Sequence, residues 1–139
     1  MSVKEMVEYR FIARADAAQV ELLYRDAGWW EDDFSADFIP DMIAGSFCFV
    51  AAFAADGAML GMARAISDGG SDAYIQDVTV RQDHRHAGIG GKLVEMLTER
   101  LRACGIDWIG LIAAPGTESF YRELGFDVMD GYIPMRHKL

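Results

Sequence analysis

The residues with the clearest chemical potential lie between positions 78 and 93. There VTVRQDHRHAGIGGKL passes from a β-branched stretch, through a glycine-rich turn, into a segment with helical spacing. A turn of this kind opening a helix is an anion site, because first-turn N–H groups lack intrahelical partners and the macrodipole places partial positive charge there. Glycine at 88, 90 and 91 lets the backbone come close to a phosphate, and Arg85 and His86 add charge. Two nucleotide motifs fail on residue type. A P-loop needs Gly-Lys followed by Ser or Thr, whereas Gly91-Lys92 precedes Leu93 and His86 holds the first glycine position. A dinucleotide fingerprint starting at Gly88 and passing Gly90 needs a third glycine where Leu93 stands. On the glycines alone, a plain helix-start loop remains the alternative.

Trp29, Trp30, Glu31, Asp32 and Asp33 combine aromatic faces with carboxylates, a set suited to a cation. The same run also reads as a solvated acidic loop with one tryptophan in the core. His84 and His86 form a lone H-x-H without further carboxylate or thiolate ligands close by, so no metal is expected. Cys48 and Cys104 make neither a disulfide framework nor a zinc spacing.

These residues need a scaffold, and periodicity supplies one. VEYRFIARA alternates as a strand; Asp16 then caps a helix in which Val20, Leu23 and Tyr24 share a face. The segment from Gly28 to Ser46 reads as loop plus short helix, with Ser35 as a cap. Two strands follow, joined at Asp56-Gly57, and Gly69-Gly70 marks the turn into a third, AYIQDVTV. Beyond the glycine turn, Ile89, Leu93, Leu97 and Leu101 recur every four residues beside Val94, the stripe of an amphipathic helix. DWIGLIAA predicts a short strand, TESFYREL a short helix stopped at Gly125, and FDVMDGYIPMRHKL a last strand pair. The pattern as a whole predicts a mixed α/β sheet.

The 139 residues suit a single domain, 1–139. With 52% apolar and 25% charged residues, a real core can form. No run of eighteen or more residues is apolar and uncharged, and the first residues lack the apolar stretch of a signal peptide. A cytoplasmic protein without membrane association is therefore expected. The net charge of −9 is concentrated early: residues 1–70 hold 12 acids against 5 bases, and residues 71–139 hold 10 against 8. A chain this acidic is repelled by phosphate backbones, which argues against a nucleic-acid partner.

Arg85-His86-Ala87-Gly88-Ile89-Gly90 resembles the R/Q-x-x-G-x-G/A pyrophosphate loop of the GNAT superfamily of acetyl-CoA-dependent N-acetyltransferases, and the strand ending Val78-Thr79-Val80 precedes it as in that family. Thirty residues beyond Gly90, Phe120-Tyr121-Arg122-Glu123-Leu124-Gly125-Phe126 is similar to the family's FYxxLGF signature. The resemblance covers residues 72–126 and extends to the terminal strands, while the first 45 residues fall where the superfamily varies. It implies a GNAT-like fold, a central and mostly antiparallel sheet flanked by helices. It also implies acetyl-CoA as donor and direct attack by an amine in a ternary complex. The acceptor would be a primary amine of a small molecule or peptide.

By the same resemblance, a strand bulge frees the Val78 amide for the acetyl carbonyl, and Thr79 and Val80 continue along pantetheine. Residues Arg85, His86, Ala87, Gly88, Ile89, Gly90 and Gly91 wrap the pyrophosphate. Tyr121 matches the tyrosine that protonates the leaving thiolate; without that motif it reads as a core tyrosine with its hydroxyl at the surface. An alkylammonium is only roughly one part in 2,500 free amine at pH 7, so a proton acceptor is needed. Asp77 is the candidate base, though a strand aspartate that caps a turn or pairs with an arginine is the competing reading. The strand Tyr74-Ile75-Gln76-Asp77-Val78 is also similar to that of glucosamine-phosphate N-acetyltransferases, but Gln76 stands where those enzymes carry glutamate. Ala114 occupies a position that in many members is asparagine. Trp30 and Asp33 are the acceptor-site candidates. A non-catalytic acyl-CoA-binding module and a protein-specific acetyltransferase are the rival readings, and a homodimer formed by the last strands is left open.

Overall fold

The computed structural model describes residues 6–139. The elements run β1 (Glu8–Phe11), α1 (Ala17–Asp26), α2 (Ile39–Gly45), β2 (Cys48–Phe53), β3 (Met59–Ser67), β4 (Asp72–Val80), α3 (Ile89–Ala103), β5 (Trp108–Leu111) and α4 (Glu118–Glu123), with single 3-10 turns at Ala36–Phe38 and Gln82–His84. The strands lie in one sheet in sequence order, antiparallel from β1 through β4 and parallel between β4 and β5. This is the mixed α/β sheet that the sequence pattern predicts, with the mostly antiparallel order that the family resemblance implies.

Strand alternation sorts the side chains onto two faces. Val50, Ala52, Leu60, Ala63 and Ala65 pack under α3, while Phe49, Ala51, Phe53, Met59 and Met62 pack under α1 and α2. Because helices cover both faces, β2 is buried along its whole length. On α3 the stripe Ile89, Leu93, Val94, Leu97 and Leu101 is buried. Each of these side chains stabilises the fold by about 1.5–3 kcal/mol through burial. The Asp16 carboxylate accepts the Ala18 N–H at 3.0 Å and starts α1, whose buried face is Val20, Leu23 and Tyr24. Between β3 and β4, Asp68 Oδ1 accepts the N–H groups of Gly70 and Ser71 at 2.8 and 2.9 Å, which closes that turn.

The expected C-terminal strand pair does not form. Residues 127–139 hold no helix or strand, and β5 has β4 as its single sheet neighbour among the described residues. The alternation that begins at Phe126 and Val128 is cut by a turn in which the Tyr132 N–H bonds the Met129 carbonyl and Gly131 is left-handed at φ +80°. Pro134 then removes a ladder donor. Phe126 still packs on the α3 core, whereas Tyr132 and Ile133 are exposed. Among the described residues, no helix is long and apolar enough to cross a membrane, and no three His, Cys, Asp or Glu side chains gather as metal ligands.

Candidate active site

Two features of β4 set the site. The first is a bulge facing β3: Met62 pairs with Thr79 and Arg64 with Gln76, so Ala63 alone opposes both Asp77 and Val78. Asp77 takes φ +57°, a left-handed conformation that aspartate tolerates better than most residues. The extra residue shifts the alternation: Ala73 and Ile75 face α3 before the bulge, and Val78 and Val80 face it afterwards. The second feature is an open edge. β4 pairs with β5 only over Asp72–Ile75 against Trp108–Leu111, so Gln76–Val80 run on without β5 beside them. Backbone groups on that stretch are placed to bond an extended ligand as a further strand would.

The open edge leads directly into the glycine turn. Arg85 Nε donates to the Val80 carbonyl at 3.1 Å, and His86 and Gly88 take φ +65° and +83°, turning the chain into α3 with Gly88 at its N-cap. The side chains of Arg85, His86 and Ala87 are exposed, whereas that of Ile89 is buried, so Ile89 presents only its backbone. The N–H groups of Ile89, Gly90 and Gly91 belong to the helix's first turn, where an anion is favoured. This cradle and the open edge together fit an extended ligand that ends in phosphate. The fold also explains why the two motifs occur together. A methyl group at Gly90 would sit 3.3 Å from the Phe120 ring, and one at Gly91 would sit 3.7 Å from Leu124. The second motif thus packs on the first turn of α3. Tyr121 is half-buried against the α3 core, with the Phe120 and Phe126 rings at 4.9 and 6.0 Å. Burial raises its phenol pKa above the ordinary 10, so the hydroxyl stays protonated at neutral pH. It lines a wide groove of about 1070 Å³ between β5, α4 and the chain beyond.

On the other face of the sheet, the Asp77 side chain forms the floor of a cleft of about 340 Å³ with Arg64, walled by Tyr24, Trp29, Trp30, Phe34 and Phe38. Asp77 Oδ2 accepts Arg64 Nε at 2.7 Å and the Tyr24 hydroxyl at 2.9 Å. Burial, reinforced by the Asp77 charge and hydrogen bond, raises the Tyr24 phenol, which therefore remains a donor. Trp30 lies 6.1 Å from both Tyr24 and Phe38 and 5.6 Å from Phe34, with the Arg25 guanidinium 5.3 Å from its ring. Its buried Nε1 has no hydrogen-bond partner among the described residues.

Of the sequence candidates, Asp77 and Trp30 share this cleft; Val78, Thr79 and Val80 share the open edge; and the 85–91 loop continues from it. Asp33 is exposed and is not among the residues lining the cleft, although its neighbour Phe34 is. The arginine-paired reading of Asp77 is the arrangement present. Tyr24, Arg64, Phe34 and Phe38 were not singled out from the sequence. Arg64 carried a signal: it is a lone charge inside the apolar strand MLGMARAIS and requires a counter-ion, which Asp77 in the next strand supplies.

The acetyltransferase (GNAT) family model matches residues 14–126, and the chain belongs to this family. Residues of the chain are 40% identical over 72 positions to the uncharacterized N-acetyltransferase ycf52 of Pyropia yezoensis, covering 52% of this chain and 41% of that protein. The chain spans about two fifths of the length of the curated relatives it matches. An acetyltransferase of the GNAT family from Streptococcus pneumoniae shares the fold, with a TM-score of 0.78 and 21% identity over 96% of this chain and 100% of that one. Glucosamine-6-phosphate N-acetyltransferase from Arabidopsis thaliana shares it too, with a TM-score of 0.75 and 16% identity over 96% of this chain and 99% of that one.

Proposed function

We propose that this chain transfers the acetyl group of acetyl-CoA to a primary amine by direct attack in a ternary complex. The observation that carries the reading is the β4 edge left open from Gln76 to Val80, which ends in the glycine cradle of α3 and begins at the bulge beside the aromatic cleft. Donor and acceptor would meet at the bulge from opposite faces of the sheet. Bound acetyl-CoA supplies an activated thioester carbonyl. The Val78 N–H polarises that carbonyl, Thr79 and Val80 align the pantetheine through backbone bonds, and the first-turn amides of α3 with Arg85 and His86 hold the pyrophosphate. Thr79 is itself buried, which suits a backbone rather than a hydroxyl contact.

The amine nitrogen forms its bond to the carbonyl carbon as the carbon–sulfur bond breaks. The departing sulfur takes the Tyr121 hydroxyl proton, and the nitrogen loses one. Asp77, directly or through water, receives the nitrogen's proton and later returns one to Tyr121 by way of solvent. From the free amine the products are an acetamide and a free thiol, and atoms and charge balance; an acceptor arriving as an ammonium releases one further proton before attack, which Asp77 would pass to solvent.

The test is a thermal-shift titration with acetyl-CoA, using ATP and NAD as anionic controls, followed by thiol release on a panel of primary amines. Ligand at about a hundred times its dissociation constant adds roughly 2.7 kcal/mol, a shift of several degrees for a chain of this size. A selective acetyl-CoA shift with amine-dependent thiol release is the expected result. Equal shifts with all three anions, or none, would reduce the cradle to a generic anion site and overturn the reading.

A further inference from the structure

Five aromatic side chains converge on the Asp77–Arg64 floor from the end of α1, the loop after it and the 3-10 turn at Ala36–Phe38. Three of them, Trp29, Phe34 and Phe38, keep 43, 48 and 45% of their surface exposed, so core packing leaves this apolar wall open to solvent. We propose that the acceptor is a primary arylalkylamine, with its ring seated among these side chains and its amine reaching the bulge at Asp77–Val78. This proposal rests on the acetyl-transfer reading above and names the substrate class of that site.

Geometry favours a flat ring over other amines. The wall rings stand 5.6–6.2 Å from one another, with interplanar angles from 23 to 75°, a preassembled aromatic cluster whose open members are Trp29, Phe34 and Phe38. Aromatic pairs gain about 0.5–1.5 kcal/mol beyond area burial in such arrangements, a gain a linear alkyl chain lacks. The cleft of about 340 Å³ lies at the small end of ligand pockets and suits one ring system with a short side chain.

Charge disfavours polar acceptors. Among the described residues, Arg64 and Asp77 are the only charged ones lining the cleft, and they pair with each other at 2.7 Å. A sugar phosphate would meet no unpaired cation there. The hydroxyls of an amino sugar would lose water against π faces, at about 1–3 kcal/mol for each one left unpaired. Finally, an amine drawn into this apolar cleft loses hydration that stabilises its charged form, which raises the share of attacking free base.

The experiment measures kcat/KM by thiol release for 2-phenylethylamine and tryptamine against hexylamine, spermidine, glucosamine 6-phosphate and Nα-acetyl-lysine methylamide. It also measures binding of 2-phenylethylamine and hexylamine by calorimetry without acetyl-CoA. The arylalkylamines should exceed hexylamine by about tenfold in both readouts. Trp30→Leu should abolish that preference and Trp30→Phe should restore most of it. Phe38→Leu, at a half-exposed position, should weaken the preference while leaving acetyl-CoA affinity unchanged. Comparable or better turnover of hexylamine, spermidine, the sugar phosphate or the lysine probe would overturn the aromatic class and leave acetyl transfer standing. Selective arylalkylamine binding with no amine acetylated would support the cleft assignment and overturn the transfer reading. Absence of arylalkylamine binding would overturn the class whatever the turnover.

Discussion

Two side chains on opposite faces of the sheet carry separable burdens. Tyr121 is half-buried, and desolvation holds its phenol above the ordinary value of 10. As general acid it should therefore keep its proton, and kcat should show no basic decline below about pH 10. Tyr121→Phe should lower kcat by about 100-fold or more while acetyl-CoA affinity stays within about twofold, as read by single-turnover thiol release and thermal shift. Unchanged turnover would remove the hydroxyl from the mechanism. Asp77 carries a structural burden in addition to any catalytic one. Its carboxylate sits 2.7 Å from Arg64 Nε, with side-chain exposures of 22 and 16%. Asp77→Asn preserves the left-handed φ, which asparagine also tolerates, but leaves Arg64 without its counter-charge. A loss of about 1–3 kcal/mol is expected in urea unfolding, below the range for fully buried pairs because water still screens this one. If Asp77 is also the base, the same variant should show a fall in kcat that lessens with rising pH, as the free amine becomes abundant. A purely anchoring Asp77 would give a pH-independent fall.

At the scale of elements, the glycine turn, the helix it opens and the start of α1 were legible because their signals are local. The α3 stripe, the Gly88 turn and the Asp16 cap are written in spacings of a few residues, and each is present. The aromatic cleft was only half legible. Trp30 was visible as a residue type, but Tyr24, Phe34 and Phe38 come together through the docking of α1 and α2 on β3, which no local spacing reveals. The C-terminal segment misled for the opposite reason: its alternation is local, but Gly131 and Pro134 outweigh it. The link from α1 to the site can be tested. Asp16 caps the helix whose last turns carry Tyr24, so Asp16→Ala should cost about 1 kcal/mol, roughly 3–5 °C in Tm. Because α1 is held along its length by Val20 and Leu23, acceptor KM should change little at a temperature where the variant is folded. A large KM change would mean that the cleft depends on fraying of α1 rather than on its packed face.

Across the whole molecule, the charge distribution favours the acceptor side. Residues 26–63 hold seven acids and no lysine or arginine, and this stretch includes Glu31, Asp32, Asp33, Asp37 and Asp41, all exposed beside the aromatic wall. The Arg85 cradle follows β4 at the start of α3, in a part of the chain close to charge balance, and of those acids Asp26 reaches the turn before it, accepting the Gln82 N–H at 2.9 Å. An ammonium approaching the cleft is therefore drawn in by a local negative field, while the anionic donor can dock away from the densest acids. On the proposed function, Asp33 would need no contact with the ligand and would act by raising the encounter rate of a cationic amine. Such attraction acts at long range through water, so it must weaken as the Debye length shrinks from about 20 Å near 20 mM salt to below 8 Å above 0.15 M. For a cationic amine, kcat/KM should accordingly fall by roughly threefold to tenfold between those conditions, while kcat at saturating amine holds steady. Asp32→Lys with Asp33→Lys should flatten that dependence and lower kcat/KM at low salt, without loss of thermal stability, since both side chains are solvated. A salt response that the double variant leaves intact would place the steering elsewhere on the surface. A fall confined to kcat would assign the salt effect to the transfer step itself, against long-range attraction of the acceptor.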